Sequence, residues 1–281
     1  MKKLLVLTLF FVTSLAVEAQ IETPAPSPYS KVEQTVGLTD VTLEYSRPSM
    51  RGRTIMGNLV PYDKLWRTGA NDRTKISFSD DVTVNGQPLK AGSYSIFTKP
   101  GRQAWEVFFY TETDGGVPQE LEDDKIAAKT SVQVNALPMD IETFTMGFDE
   151  LKTGSANLGM RWENVYVGVP IEFSTDDQVM KNIEDAMSGS PKAGDYYAAA
   201  VYYFSEGKDI SKAQEWMDKA MEMTEEPAFW QLRQQSLIQA EAGDKKAAIE
   251  TAKKSLAKAE EAGNDDYIKM NNDSLKEWGA Q

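Results

Sequence analysis

Near Ser174 the hydrophobic pattern of this 281-residue chain changes period, and that switch constrains the fold more than any single residue. Upstream, Val41, Leu43 and Tyr45 alternate with Thr42 and Glu44, the period of a strand with one buried face. Ile76-Ser77-Phe78 and Val82-Thr83-Val84 repeat the pattern with branched and aromatic residues that favour strands. Asn85-Gly86 is a tight-turn dipeptide, because both central residues of such a turn need positive φ. It is expected to join 82–84 to a strand around Tyr94-Ser95-Ile96-Phe97. Pro100-Gly101 turns the chain into a strand over 105–110, and further strands are expected near 131–135, 142–148, 156–162 and 166–173. About nine short strands with turn signals between them read as an antiparallel β-sandwich or jelly-roll-like domain. The Gly- and acid-rich stretch 111–124 reads as a mobile loop.

Downstream of Ser174-Thr175-Asp176 the spacing is helical, with a first helix to about Met187 ended by Gly189-Ser190-Pro191. Asp209, Ala213 and Ala220 then recur as Asp244, Ala248 and Ser255 at a constant offset of 35 residues. Small residues at that spacing let paired helices approach closely, which reads as tetratricopeptide-like hairpins. Too few clear repeats are present to bury enough surface as a free array, so the helices are expected to pack on one another or on the β-domain. The fold class is therefore α+β, with a β-domain over 20–173 and a helical domain over 174–281.

The first 19 residues read as a secretory signal: Lys2 and Lys3, an apolar run over 4–17, and Val17-Glu18-Ala19 before the cleavage point. The run is short of the roughly 20 apolar residues of a span, so no stable membrane insertion is expected after cleavage. The expected location is periplasmic or extracellular. Cleavage leaves 28 basic against 42 acidic residues, a net charge of −14 that repels nucleic acid.

The chain has no His and no Cys. Imidazole bases, Ser-His-Asp triads, thiolate nucleophiles, disulfides and His or Cys metal sites are thereby excluded. No catalytic residue, metal or cofactor is assigned. The acidic run 120–124 lacks the spacing of a calcium loop, and reads as solvated. Ser255 and Lys258 match the Ser-x-x-Lys spacing of some acyl enzymes, but in a helical repeat this reads as coincidence. A hydrolase would need two carboxylates, for which Glu44, Asp63 and Asp72 are the candidates.

Charge is concentrated in one place. Residues 45–75 hold Arg47, Arg51, Arg53, Lys64, Arg67, Arg73 and Lys75 against Asp63 and Asp72, a local +5. Within it run Tyr45-Ser46-Arg47-Pro48-Ser49, Gly52-Arg53, Leu59-Val60-Pro61-Tyr62 and Trp66-Arg67-Thr68-Gly69-Ala70-Asn71. This string resembles the signature of domain-of-unknown-function family 2911, and the resemblance extends over roughly 28–172. It implies an exported protein with a helical tail and supplies no activity.

The segment is long, irregular and lies between two strands, a setting in which function is common. Tyr45, Arg47, Arg53, Trp66, Arg67 and Asn71 form the candidate ligand-binding set, since Arg grips carboxylate or phosphate and Trp stacks on a sugar ring. The same residues also fit a structural clamp, with arginines on loop carbonyls or on Glu44 and Asp63, and Trp66 as a core plug. The resulting expectation is a binding module, rather than an enzyme, for an anionic or carbohydrate ligand of the cell envelope. The alternatives are a scaffold holding an envelope protein partner through its helices, and a carboxylate-dependent hydrolase of envelope polysaccharide.

Overall fold

The computed structural model describes residues 23–280; the expected signal over 1–19 lies outside them. Contacts divide the chain into a unit that ends at Thr175 and one that begins at Asp176.

The first unit is two antiparallel sheets. One holds β1 (Tyr29–Val36), β2 (Thr39–Ser46), β3 (Thr74–Phe78), β6 (Gly92–Pro100), β7 (Ala104–Tyr110) and β8 (Ile126–Gln133), adjacent in that order. The other runs β5 (Gln87–Leu89), β4 (Val82–Val84), β10 (Ser155–Phe173) and β9 (Asn135–Lys152). Period-2 alternation turns Val41, Leu43, Ile76, Ile96, Val107 and Phe109 inward from the first sheet. Phe144, Met146, Leu158, Met160, Trp162 and Val169 meet them from the second, in one shared core. The outer face of the six-stranded sheet is also partly apolar: Phe97, Phe108 and Tyr110 are buried there beneath Leu65, Leu121 and Ile126.

Two expectations are corrected. Asn85 and Gly86 do form the turn, with φ of 45° and 82°, but it leads into the short β5 rather than the strand around Tyr94. That strand, β6, belongs to the other sheet. Pro88 and the brevity of Gln87–Leu89 hide β5 from any alternation test. The strands expected over 142–148 and over 156–173 are parts of two long ones, β9 and β10, which continue through bulges opposite Glu163.

The second unit is helical: α1 (Thr175–Ser188), α2 (Ala193–Ser205), α3 (Ile210–Glu222), α4 (Phe229–Glu241), α5 (Lys245–Glu261) and α6 (Asp265–Glu277). The 35-residue offset has a physical basis. Asp209 and Asp244 are the N-caps of α3 and α5, accepting from Ser211, Lys212 and Ala247 backbone N–H groups. Ala213, Ala220, Ala248 and Ser255 are fully buried where neighbouring helices meet. Ser255 is no nucleophile: its hydroxyl donates to Phe229 O (2.7 Å) and accepts from Asn271 Nδ2 (2.9 Å). Arg233 completes this polar network through Met270 O, Asn271 Oδ1 and Ser274 Oγ.

Candidate functional site

The arginine-rich segment leaves β2 at Ser46, rejoins the sheet at Thr74, and between them crosses to both sheets. Met50 N donates to Glu142 O and Phe144 N to Pro48 O, each at 2.8 Å, which ties the segment to β9. Trp66 exchanges two backbone hydrogen bonds with Thr98 of β6, at 2.8 and 2.9 Å. From β10, Glu163 spends both carboxylate oxygens on the N–H groups of Ile55 (3.1 Å) and Met56 (3.0 Å).

The six candidate residues are placed as follows. Tyr45 is buried, its hydroxyl donating to Met146 O and accepting from Met146 N, both at 2.9 Å. Arg47 donates to Phe144 O (3.2 Å) and Thr145 Oγ1 (2.7 Å). Arg53 turns back on Met50 O (2.9 Å) and Ser49 O (2.7 Å). Arg67 donates to Asn71 O, and Asn71 Nδ2 to Ser27 O and Ser46 Oγ. The Trp66 ring lies against Trp105, Phe144 and Trp162, with centroids at 6.0, 5.1 and 5.9 Å, and its Nε1 donates to Gly69 O (3.1 Å). The three guanidinium groups are thus held on three separate acceptor sets, and none reaches Glu44 or Asp63.

The buried charge of this segment is instead Arg73, which ends it. Its residue is 8% exposed, the one charged residue among the buried polar residues described. The stretch 111–124, expected to be mobile, belongs to a strap that runs to Lys125 and packs on the outer face of the six-stranded sheet through Leu121. Its base is closed by Thr111 N on Lys125 O (2.9 Å) and by Lys125 Nζ on Glu112 and Glu122 (2.7 Å each). Those two carboxylates raise the Lys125 pKa above the ordinary lysine value, and Lys125 in turn lowers that of Glu112. Beneath the strap, Arg73 Nε donates to Gly116 O (3.0 Å) and Nη1 to Glu112 O (2.8 Å). Its guanidinium carbon stands 5.4 Å from the Phe97 ring centre and 5.9 Å from that of Tyr110. No carboxylate forms an ion pair with it among the described residues.

A cavity of about 140 Å³ opens beside this guanidinium. Tyr29, Glu44, Tyr45 and Ser46 line it from β1 and β2; Asp72, Arg73 and Lys75 line it from β3 and its approach. Thr113, Asp114 and Gly115 line it from the strap. Of the six candidates, Tyr45 alone is in this wall. Lys75 Nζ pairs with Asp114 Oδ1 at 3.0 Å, and Tyr29 Oη donates to a Glu44 oxygen, a bond that together with the Glu44 charge raises the phenol's pKa. Glu44 and Asp72 share this cavity, whereas Asp63 lines another, of about 490 Å³, on the far side of the strap. The larger one has Lys64, Lys99 and Lys129 around Phe108, but holds no buried charge. Chemistry rather than size therefore picks out the smaller one.

Sequence reading passed over Arg73 because one arginine among five looks like the rest. The available signal was its place at the mouth of a strand, two residues from Lys75, where both side chains share the outer face.

Among the described residues no group of acidic side chains is arranged to hold a metal ion, and no helix is long and apolar enough to cross a membrane. A family model described as a protein of unknown function (DUF2911) matches residues 27–171. No curated protein and no solved structure matches the chain.

Proposed function

The chain belongs to the DUF2911 family of proteins of unknown function, and from that premise we propose that it is an exported binding module whose β unit grips an anionic group in the cavity over Arg73. One observation carries this reading. Arg73 is a buried guanidinium whose acceptors among the described residues are two neutral carbonyls, with Nη2 given none of them. The Glu112 carboxylate feels the Arg73 charge but is bonded to Lys125; a buried cation with no carboxylate bonded to it is costly, and an anion from outside relieves that cost. Two carbonyls and two aromatic faces fix the guanidinium plane in advance, so little order remains to be imposed on binding.

On this reading Arg47, Arg53, Trp66, Arg67 and Asn71 serve the ligand at one remove. They hold the segment that delivers Arg73 to the strap, and Tyr45 forms part of the cavity wall. The test is a titration of the full mature chain with acetate and with inorganic phosphate, followed by amide NMR. Such small ions have few atoms for contact, so saturable shifts at Thr113, Asp114 and Gly115 are expected with a Kd on the order of 1 mM. Absence of saturable shifts at those amides, for both ions, refutes the proposal.

A further inference from the structure

We infer that the ligand of the Arg73 cavity is a small zwitterion of the amino-acid type, its carboxylate on the guanidinium and its ammonium group on the wall formed by Glu44 and Asp72. The inference rests on the binding-module reading above and specifies its ligand class.

The argument is one of charge matching in a confined space. The charged groups in the lining are Arg73 and Lys75 against Glu44, Asp72 and Asp114. Lys75 and Asp114 neutralise each other across 3.0 Å. What remains is one buried cation and two carboxylates, around a volume of only about 140 Å³. A plain anion there gains Arg73 and meets two like charges, of which half-buried Glu44 is the less screened and rim-exposed Asp72 the more. A plain cation meets the reverse. A ligand that carries both charges satisfies both ends, and the cavity has room for a compact one.

Geometry supports the polarity. The cationic end lies under the strap, where Gly115 has φ of 101° and a β-carbon would stand 3.2 Å from Arg73 Nη2. Glycine at that point keeps clear the space a carboxylate needs to reach Nη2. Of the carboxylates, Glu44 lies on β2, with one oxygen occupied by Tyr29 Oη of β1, and Asp72 lies on the approach to β3. Asp72 makes no ion pair and is exposed at the rim. Thr113, from the strap, lines the same space.

The experiment titrates the full mature chain with glycine, acetate and methylammonium, reading the amides of Thr113 and Gly115 by NMR. Glycine is expected to bind at least tenfold more tightly than acetate or methylammonium. In E44Q/D72N that advantage is expected to vanish while acetate binding is kept or strengthened. D72N alone, at an exposed position, is expected to reduce the advantage without disturbing the fold. Acetate binding as tightly as glycine overturns the zwitterion and leaves the anion site standing. A glycine advantage unchanged in E44Q/D72N overturns it likewise. If neither glycine nor acetate moves these amides, the binding-module reading falls with it.

Discussion

Replacing Trp66 by Ala tests whether the arginine-rich segment is part of the fold's closure. Trp66 lies against Phe144 and Trp162 from one sheet and Trp105 from the other, at centroid distances of 5.1 to 6.0 Å. Removal of a well-packed Trp costs about 3–5 kcal/mol. Trp66 is packed against the core but only partly buried, so the lower end, about 3 kcal/mol, applies. The three ring pairs alone, at roughly 0.5–1.5 kcal/mol each, are compatible with that figure. Loss of the Nε1 bond also leaves Gly69 O without its indole donor. The assay is native-state hydrogen exchange by mass spectrometry on the full chain, with β9 and β10 peptides reporting the β unit and α2 to α5 peptides as internal reference. Three kcal/mol corresponds to roughly 100-fold faster exchange of the slowest β9 and β10 amides. Less than about tenfold there, or equal acceleration in the helices, would refute the plug.

Two further outcomes are expected. Glu163→Gln takes the negative charge from a carboxylate that accepts from Ile55 and Met56, and is expected to cost about 1–2 kcal/mol; exchange at those two amides should quicken roughly 5- to 30-fold, and an unchanged rate would count against the contact. In the helical unit, Lys208 and then Tyr202 hold the Asp176 carboxyl below its ordinary pKa, so its stabilisation is present at neutral pH, fades as pH falls past the unfolded value of about 3.9, and is gone below the depressed folded value. Asp176→Asn should therefore lower the helical unit's Tm at pH 7 and leave it unchanged at strongly acidic pH; because the pair is exposed, about 1 M salt should shrink the difference.

The α+β class, the switch of period at Ser174 and the capped 35-residue repeat were legible because each is a local pattern with a local cause. Asp209 and Asp244 cap helices by bonding their own next turn, so no distant residue is needed to read them. What stayed hidden was decided across the chain. The β9 and β10 strands looked like separate short ones, because only the partner strand shows that pairing continues on either side of Pro138 and of the bulges at Glu163. The Asn85-Gly86 turn signal points from 82–84 to the strand around Tyr94, yet that strand pairs in the other sheet. Alternation could not mark its face, since Phe97 is buried by the strap on the outer side and Ile96 by the core on the inner one. Arginine chemistry narrowed the candidate site to a segment but not to an atom. Arg53 and Arg73 are both arginines between β2 and β3; one folds back on its own loop, and the other is roofed by carbonyls some 40 residues further along.

The closure of the β unit also sets a clock. Tyr45 bonds Met146 across 101 residues, Arg47 bonds Phe144 across 97, and Ile55 bonds Glu163 across 108. Contacts of such sequence separation raise contact order and make folding slow, because the loop-closure entropy is lost before any packing is gained. Chain elongation at about 5–20 residues per second places Glu163 roughly 5–20 s behind Trp66. Until β9 and β10 have emerged, Trp66 lacks Phe144 and Trp162, and Arg47 lacks Phe144 and Thr145. The amino-terminal half therefore emerges from synthesis without the partners that close it, and its packing waits on the last two strands.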